Sequence, residues 1–372
     1  MVDPATGELD KALIFKRCQE NVPDWKEIKI EDCEIKRMGG LSNVCCKVSA
    51  PGAQTILYRL IMNDLANADL ERVIFRVASD EKVGPKFLHE DADYRLEGFF
   101  EGRAISVWEM RNPTIMMNFC DKIFDYNFNP AIRAACEKVE AINPEKLYID
   151  FAINEWAPQV KEQFPSWRGK LLQDNGKPHP ESLRTIDTFE RTFLFDGYQD
   201  YFRKLVPRES HIIMAHNDAQ ENNVLARLEK NSDLLLIDFE YSGWQPMAHD
   251  LANYLNEMVL DNCHPCGNGI ALYLENDPTE PEIEAFLTRY LHNYFTKVLK
   301  KESAEWDGWI KAELPKFNQE VRRCRMLATF YWAIWSFKIL KAENVCDDKV
   351  FNYDYANTQI TYFRKNKERW GL

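Results

Sequence analysis

Two aspartates and an asparagine interrupt an otherwise apolar stretch, AHNDAQENNVLARLEKNSDLLLIDFEYSGW from Ala215 to Trp244: they are Asp218, Asn223 and Asp238. A carboxylate beside strand-like runs is costly to bury unless a proton or a cation compensates it, so the set points to chemistry on one of these. Phosphoryl transfer needs one carboxylate beside the nucleophilic hydroxyl and further oxygen ligands for the metal ions that bridge the phosphates. Asp218 ends the strand-like run HIIMAHND, Asn223 follows on its loop, and Asp238 ends the apolar run after that, so the three fall in one cleft. Asx residues also cap loops, but that accounts for each one singly and not for the joint spacing.

Upstream lie residues suited to the phosphates themselves. In GGLSN, Gly39 and Gly40 lack a Cβ and lead into Leu41, Ser42 and Asn43 between two strand candidates, where backbone N–H groups can approach phosphate oxygens. Two glycines in a hairpin also make an ordinary turn. Arg59 sits mid-strand in LYRL and Glu71 early in the next helix, an order that predicts an ion pair aiming the cation at a nucleotide. Taken alone, the same two residues read as a surface pair.

The elements that must position these groups follow from periodicity. TILYRL alternates as a strand, NADLERVIFRVASDEKVG has Leu70, Val73, Ile74 and Val77 at helical spacing, and DYRLEGFFEG is extended. Beyond Arg103 the chain turns helical, through TIMMNFCDKIFDYNF, AIRAACEKVEAI and SLRTIDTFERTFLFDGYQDYFRKLV. The acidic stretch interrupts this with short strands, and helices resume at MAHDLANYLNEM. This order predicts an α+β, bilobal, kinase-like fold: a small β-rich lobe over residues 1–100 and a mainly helical lobe over 101–372 that carries the catalytic β insert.

Composition excludes other classes. With 372 residues, 45% hydrophobic and 28% charged, the chain is a folded protein of about two lobes. A net charge of −12 argues against a nucleic-acid partner, the one compact basic cluster being RKNKERW near the C-terminus. No apolar run approaches the ~20 residues of a membrane span, and the N-terminus lacks a secretory pattern, so we expect a cytoplasmic protein without stable membrane insertion. Ten scattered cysteines, including adjacent Cys45 and Cys46, read as reduced thiols. The CHPC at Cys263 to Cys266 reads as an irregular loop, because no second pair accompanies it.

Near the C-terminus TFYWAIWSF sets Trp332 and Trp335 three apart on one helical face, and Tyr353 and Tyr355 follow in FNYDYANTQ. Such stripes are usually core. However, HNDAQENNVL, LLLIDFEY and HDLANYLNE together resemble the choline and ethanolamine kinases, relatives of the aminoglycoside phosphotransferases and protein kinases, and the resemblance runs from RMGGLSN to the last helix. It implies ATP and Mg2+ as cofactors and phosphorylation of choline, with ethanolamine as a second substrate, as the first step toward the corresponding phospholipid. It also implies a homodimer, for which no patch in the sequence speaks.

By position, the resemblance makes Asp218 the catalytic base, Asn223 and Asp238 the magnesium ligands, and Gln220 a neighbour of the phosphates. Arg59 and Glu71 match the phosphate-binding cation and its partner, and EGFFEGR brings Gly98, Phe99 and Arg103 to the hinge that holds adenine. Trp332, Trp335 and Tyr355 match a box around the substrate ammonium, with Tyr241 and Glu257 as further pocket positions. Trp244 and Gln245 depart from the family's usual tyrosine and asparagine, and Asn262 stands near a frequent tyrosine. Two other readings are a kinase of another hydroxylated substrate, such as an aminoglycoside or methylthioribose, which the aromatics disfavour, and a non-catalytic pseudokinase, which the intact triplet disfavours.

Overall fold

The computed structural model describes residues 10–38, 44–61, 68–139, 145–174, 179–265, 268–347 and 351–372. Alternating apolar residues form the strands of the smaller lobe: β1 (Glu34–Arg37), β2 (Cys45–Ser49), β3 (Ile56–Leu60), β4 (Phe87–Glu90) and β5 (Tyr94–Gly98) make one antiparallel sheet in the order β1-β2-β3-β5-β4. One face carries Cys46, Val48, Ile56, Tyr58, Tyr94 and Leu96. They bury against Ile14, Phe15 and Cys18 of helix α1 (Lys11–Asn21) and against Trp25. The opposite face carries Arg59 across from Arg95 and Leu57 across from Glu97. Because a one-residue slip exchanges the two faces of a strand, apolar packing on α1 is what turns this charged set toward the other lobe.

Helix α2 (Ala68–Asp80) buries Leu70, Ile74, Phe75 and Ala78 in the main core rather than in the small core under α1. From β6 (Gly102–Ala104) onward helices dominate: α3 (Val107–Met110), α4 (Pro113–Asn127), α5 (Pro130–Cys136), α6 (Tyr148–Phe151), α7 (Ala157–Gln173), α8 (Pro180–Phe193) and α9 (Tyr198–Leu205). The run SLRTIDTFERTFLFDGYQDYFRKLV breaks at Gly197, whose φ of 81° is left-handed and open to glycine.

The β insert consists of β7 (Ile212–Ala215), β8 (Val224–Arg227), β9 (Lys230–Leu236) and β10 (Gly243–Pro246). Strand β8 lies between β6 and β9, and β10 pairs with β7. Four helices complete the chain: α10 (His249–Glu257), α11 (Glu280–Asn293), α12 (Trp306–Lys338) and α13 (Phe351–Trp370). Helix α12 extends about 50 Å; its stretch from Cys324 to Ile334 is buried throughout and packs against α10 and α13. The α+β, bilobal plan expected from the order of elements is therefore the observed one.

Candidate active site

The loop between β7 and β8 carries Asp218 and Asn223, and its shape is set from below by Asp250 in the first turn of α10. That fully buried carboxylate accepts the backbone N–H groups of His216 and Asn217, both at 2.8 Å, and the amide of Asn127 at 2.7 Å. Asn217 adopts φ 66° and donates its side chain to the Tyr241 carbonyl at 2.8 Å. The buried His216 ring has Nε2 2.9 Å from the Ile237 carbonyl, and its Nδ1 accepts the Asp218 N–H at 3.3 Å. A neutral Nε2–H tautomer satisfies both bonds, and burial, which depresses the ring's pKa, favours it. One imidazole thus ties together the two loops that bear the aspartates. Asn223 donates to Asp218 Oδ2 at 2.7 Å and to its carbonyl at 2.9 Å, which brings the candidate base and the first ligand candidate together.

Asp238 follows β9 in a left-handed conformation, φ 68°. The next residue holds it there: Phe239 is buried, stacked on Tyr126 at 5.4 Å and edge-on to Phe75 of α2 at 6.4 Å. Asp238 Oδ1 lies 4.0 Å from Arg59 Nη1, and Arg59 Nε donates to Glu97 at 3.0 Å. Burial opposes the charge on Arg59, but Glu97 and then Asp238 raise its pKa above the usual arginine value.

The expected Arg59–Glu71 pair does not form. Glu71 instead takes Arg95 in a two-pronged contact at 2.8 and 2.6 Å. The sheet register puts the two arginines side by side, and three carboxylates share them: Glu71 on α2 and Glu90 on β4 meet Arg95, the latter at 2.9 Å, while Glu97 on β5 serves Arg59. Arg103 is also redirected. Its guanidinium binds Glu109 at 2.8 and 2.6 Å, holding that carboxyl down at about 2, so it steadies the cap of α3 rather than the hinge. Gln220 spends its amide oxygen on Asn222, at 3.1 Å to N–H and 2.9 Å to Nδ2.

Gly98 ends β5, and the ring of Phe99 lies 4.3 Å beneath the Lys47 ammonium. Both border a cavity of about 460 Å3 whose lining includes none of Arg59, Asp218, Asn223 and Asp238. Gly39, Gly40, Leu41, Ser42 and Asn43 lie outside the described residues.

Three contributors went unassigned in the sequence: Asp250, Glu240 and Glu221. Asp250 is the acid of HDLANYLNE, and its signal was only its place inside that motif. Glu240 is the acid of IDFE, two residues after Asp238. Its Oε2 is buried without a hydrogen-bond partner among the described residues, and burial, reinforced by Asp238, pushes its pKa up to about 8.

On the other side of Asp218 the aromatic stripe closes into a wall. Tyr241 meets Trp332 at 5.3 Å and Trp335 at 6.4 Å, both edge-on, and Trp335 Nε1 donates to the Tyr241 hydroxyl at 3.0 Å. Trp335 stands 5.3 Å from Trp332 and 5.8 Å from Tyr355. Below them Asn262 donates to Glu257 Oε2 at 2.9 Å and to Glu221 Oε2 at 3.1 Å. Burial, then their mutual charge, lifts Glu257 to about 8; Glu221 rises to about 7, mainly through burial. Asp218 is raised well above an ordinary aspartate by burial and by the charges of Glu257, Asp238 and Glu240. Burial, then the charges of Glu257 and Asp218, raise the pKa of the Tyr355 hydroxyl, so rings and acids lie close enough to feel one another. Trp244 and Gln245 are buried on β10, Trp244 beneath the Arg133 guanidinium at 5.1 Å.

A β-rich lobe that presents an arginine to two acidic loops of a helical lobe is the architecture of the protein-kinase-like small-molecule phosphotransferases. A family model described as choline/ethanolamine kinase matches residues 35–365, and the chain belongs to that family. It is 24% identical over 369 residues to a human choline/ethanolamine kinase, spanning 95% of this chain and 85% of that relative. Among solved structures it is similar to a choline kinase from Cryptosporidium parvum, with a TM-score of 0.71, 22% identity and coverage of 97% and 96% of the two chains. It is similar as well to an ethanolamine kinase from Plasmodium vivax, with a TM-score of 0.70, 18% identity and coverage of 98% and 94%.

Proposed function

We propose that the protein transfers the γ-phosphoryl group of ATP to the hydroxyl of choline, with ethanolamine as a second acceptor. The observation that carries this is a crowd of buried carboxylates, Asp218, Glu221, Glu240 and Glu257, set against the rings of Tyr241, Trp332, Trp335 and Tyr355. Such acids repel one another and hold protons until cations arrive. A quaternary ammonium has no N–H to donate and is recognised by ring faces and diffuse negative charge, which this wall and Glu257 supply.

Asp218 would orient the acceptor hydroxyl and take its proton as the oxygen attacks. Asn223 holds that carboxylate through Nδ2 and keeps its own amide oxygen for other use. Asp238, Asn223 and Glu240 are oxygen donors of the kind a hard divalent cation takes, and the partnerless Glu240 oxygen fits that role. Bound there, magnesium would neutralise charge on the β and γ phosphates. Arg59, kept charged by Glu97 and Asp238, would add to this, with Gly39 to Asn43 over the phosphates and Gly98 and Phe99 beside adenine. Residues 1–100 would then serve the nucleotide and 101–372 the amine. The nine described cysteines are all free, which supports a reducing, cytoplasmic compartment. No helix among the described residues is long and apolar enough to cross a membrane.

Ethanolamine remains a second reading because Glu257, Glu221 and Asn262 offer the hydrogen-bond acceptors a primary ammonium wants. The test is ADP release by the purified protein with ATP and magnesium, with choline and ethanolamine compared across a concentration series and Asp218→Asn as the control. Choline-dependent ADP with phosphocholine as product is the expected result. A protein that binds ATP but releases no ADP with either amine overturns the proposal, and a higher kcat/KM for ethanolamine reverses the choice of substrate.

A further inference from the structure

Away from these residues, three side chains of different chemistry converge where two helix connections meet. Asp174 closes α7, His179 immediately precedes α8, and Cys346 lies in the connection from α12 to α13. One ligand atom of each, a carboxylate oxygen, an imidazole nitrogen and the thiol sulfur, lies within 4.8 Å of the other two. His179 Nε2 and Asp174 Oδ2 are 3.0 Å apart, and the His179 side chain is only 4% exposed. None of the three belongs to the site described above.

We infer that Asp174, His179 and Cys346 form a second metal site, one that takes a zinc-class divalent cation. Zinc binds nitrogen and oxygen at about 2.0–2.2 Å and sulfur at about 2.3 Å, so ligand atoms on one tetrahedral ion stand roughly 3.3–3.8 Å apart. The observed spread closes to that with shifts of an ångström or less per side chain, on connections rather than inside helices. The donor set also sets the selectivity. A thiolate and an imidazole suit zinc and its neighbours, whereas magnesium prefers an all-oxygen shell like that of Asp238, Asn223 and Glu240.

A cysteine thiol ordinarily keeps its proton at neutral pH, and metal binding at Cys346 would release it. The structural consequence is a staple. Lys170 of α7 already donates to the Ala342 carbonyl at 3.0 Å, and Tyr353 of α13 donates to the Val345 carbonyl at 2.9 Å. An ion on Cys346 would add a third tie on the connection between the helix of Trp332 and Trp335 and the helix of Tyr355.

The test uses the full chain, stripped with chelator and held in excess magnesium so that the all-oxygen ligands are occupied. Cobalt(II) is titrated in as a spectroscopic probe and then displaced by zinc. We expect one equivalent with an intense near-ultraviolet thiolate-to-cobalt band, the release of about one proton per ion, and reversal by zinc. Cys346→Ser should abolish the band, and Asp174→Asn and His179→Gln should each weaken binding tenfold or more, all in proteins whose melting without metal matches wild type. Wild-type protein that gives no thiolate band overturns the assignment. So does a band that persists in Cys346→Ser, which would move the cobalt to another thiol such as Cys45, whose surroundings include Asp238.

Discussion

Glu257 should make choline binding depend on pH, and choline is the right probe because its quaternary nitrogen carries no titratable proton. In the free protein burial, then Glu221, lifts Glu257 to about 8, and Asn262 is its hydrogen-bonding neighbour. A bound quaternary ammonium favours the ionised form, so binding expels a proton and affinity rises with pH up to the folded pKa. With that pKa, the ionised fraction is about 1% at pH 6, about 10% at pH 7 and one half at pH 8. If binding needs the anion, the association constant climbs roughly tenfold from pH 6 to 7, or ~1.4 kcal/mol, and roughly fivefold from 7 to 8. Glu221, at about 7, adds a shallower component below that pH.

The sign for stability is opposite. The unfolded chain ionises Glu257 at the ordinary glutamate value while the folded chain holds its proton up to about 8. Between the two the native state binds the extra proton, so stability of the free protein falls as pH rises across that window, and choline should restore more of it at pH 8 than at pH 6. Calorimetric titration in two buffers of different ionisation enthalpy measures both the affinity and the protons released. Glu257→Gln should flatten the profile and leave the weaker components of Glu221, Asp218 and Glu240. A wild-type choline Kd that is constant from pH 6 to 8, or a full slope that survives in Glu257→Gln, would refute the role given to this carboxyl.

Three further outcomes follow from the geometry. Asp238→Asn should cut turnover roughly a hundredfold or more at saturating magnesium with little change in melting, since asparagine tolerates the left-handed backbone at φ 68°; alanine there would mix in a strain of about 1–3 kcal/mol. A variant that retains most of the wild-type rate would remove Asp238 from the metal. Trp335→Leu keeps apolar bulk but loses the ring and its N–H bond to Tyr241, and should raise the choline KM roughly tenfold, ~1.4 kcal/mol, with the ATP KM unchanged; untouched choline kinetics in a normally melting protein would return the stripe to the core. Asp250→Asn sets an amide against the donors that now meet a carboxylate and should cost about 2–4 kcal/mol of stability together with a large loss of kcat, and chemical denaturation alongside steady-state kinetics would expose its error if neither moved.

What the sequence determined by itself was local. Spacing alone put Asp218, Asn223 and Asp238 on neighbouring loops, periodicity announced β3, α2 and α10, and a three-residue step set Trp332 and Trp335 on one helical face, because each pattern repeats with the period of its own element. Partner choice was not local. Arg59 and Glu71 looked like a pair in the order of the chain, yet the register of β3 against β5 set the buried Arg95 beside the half-buried Arg59, and two adjacent cations forced a sorting that no single segment encodes. Arg103 is the exception, claimed by Glu109 in the cap of α3 only six residues along the chain. The role of Asp250 appeared only once α10 had come up under the β7–β8 loop, and the raised pKa values of Glu240 and Glu257 only once water had been excluded around them. Charge pairing and desolvation fall off over a few ångströms in space and ignore separation along the chain, so they were decided by tertiary packing.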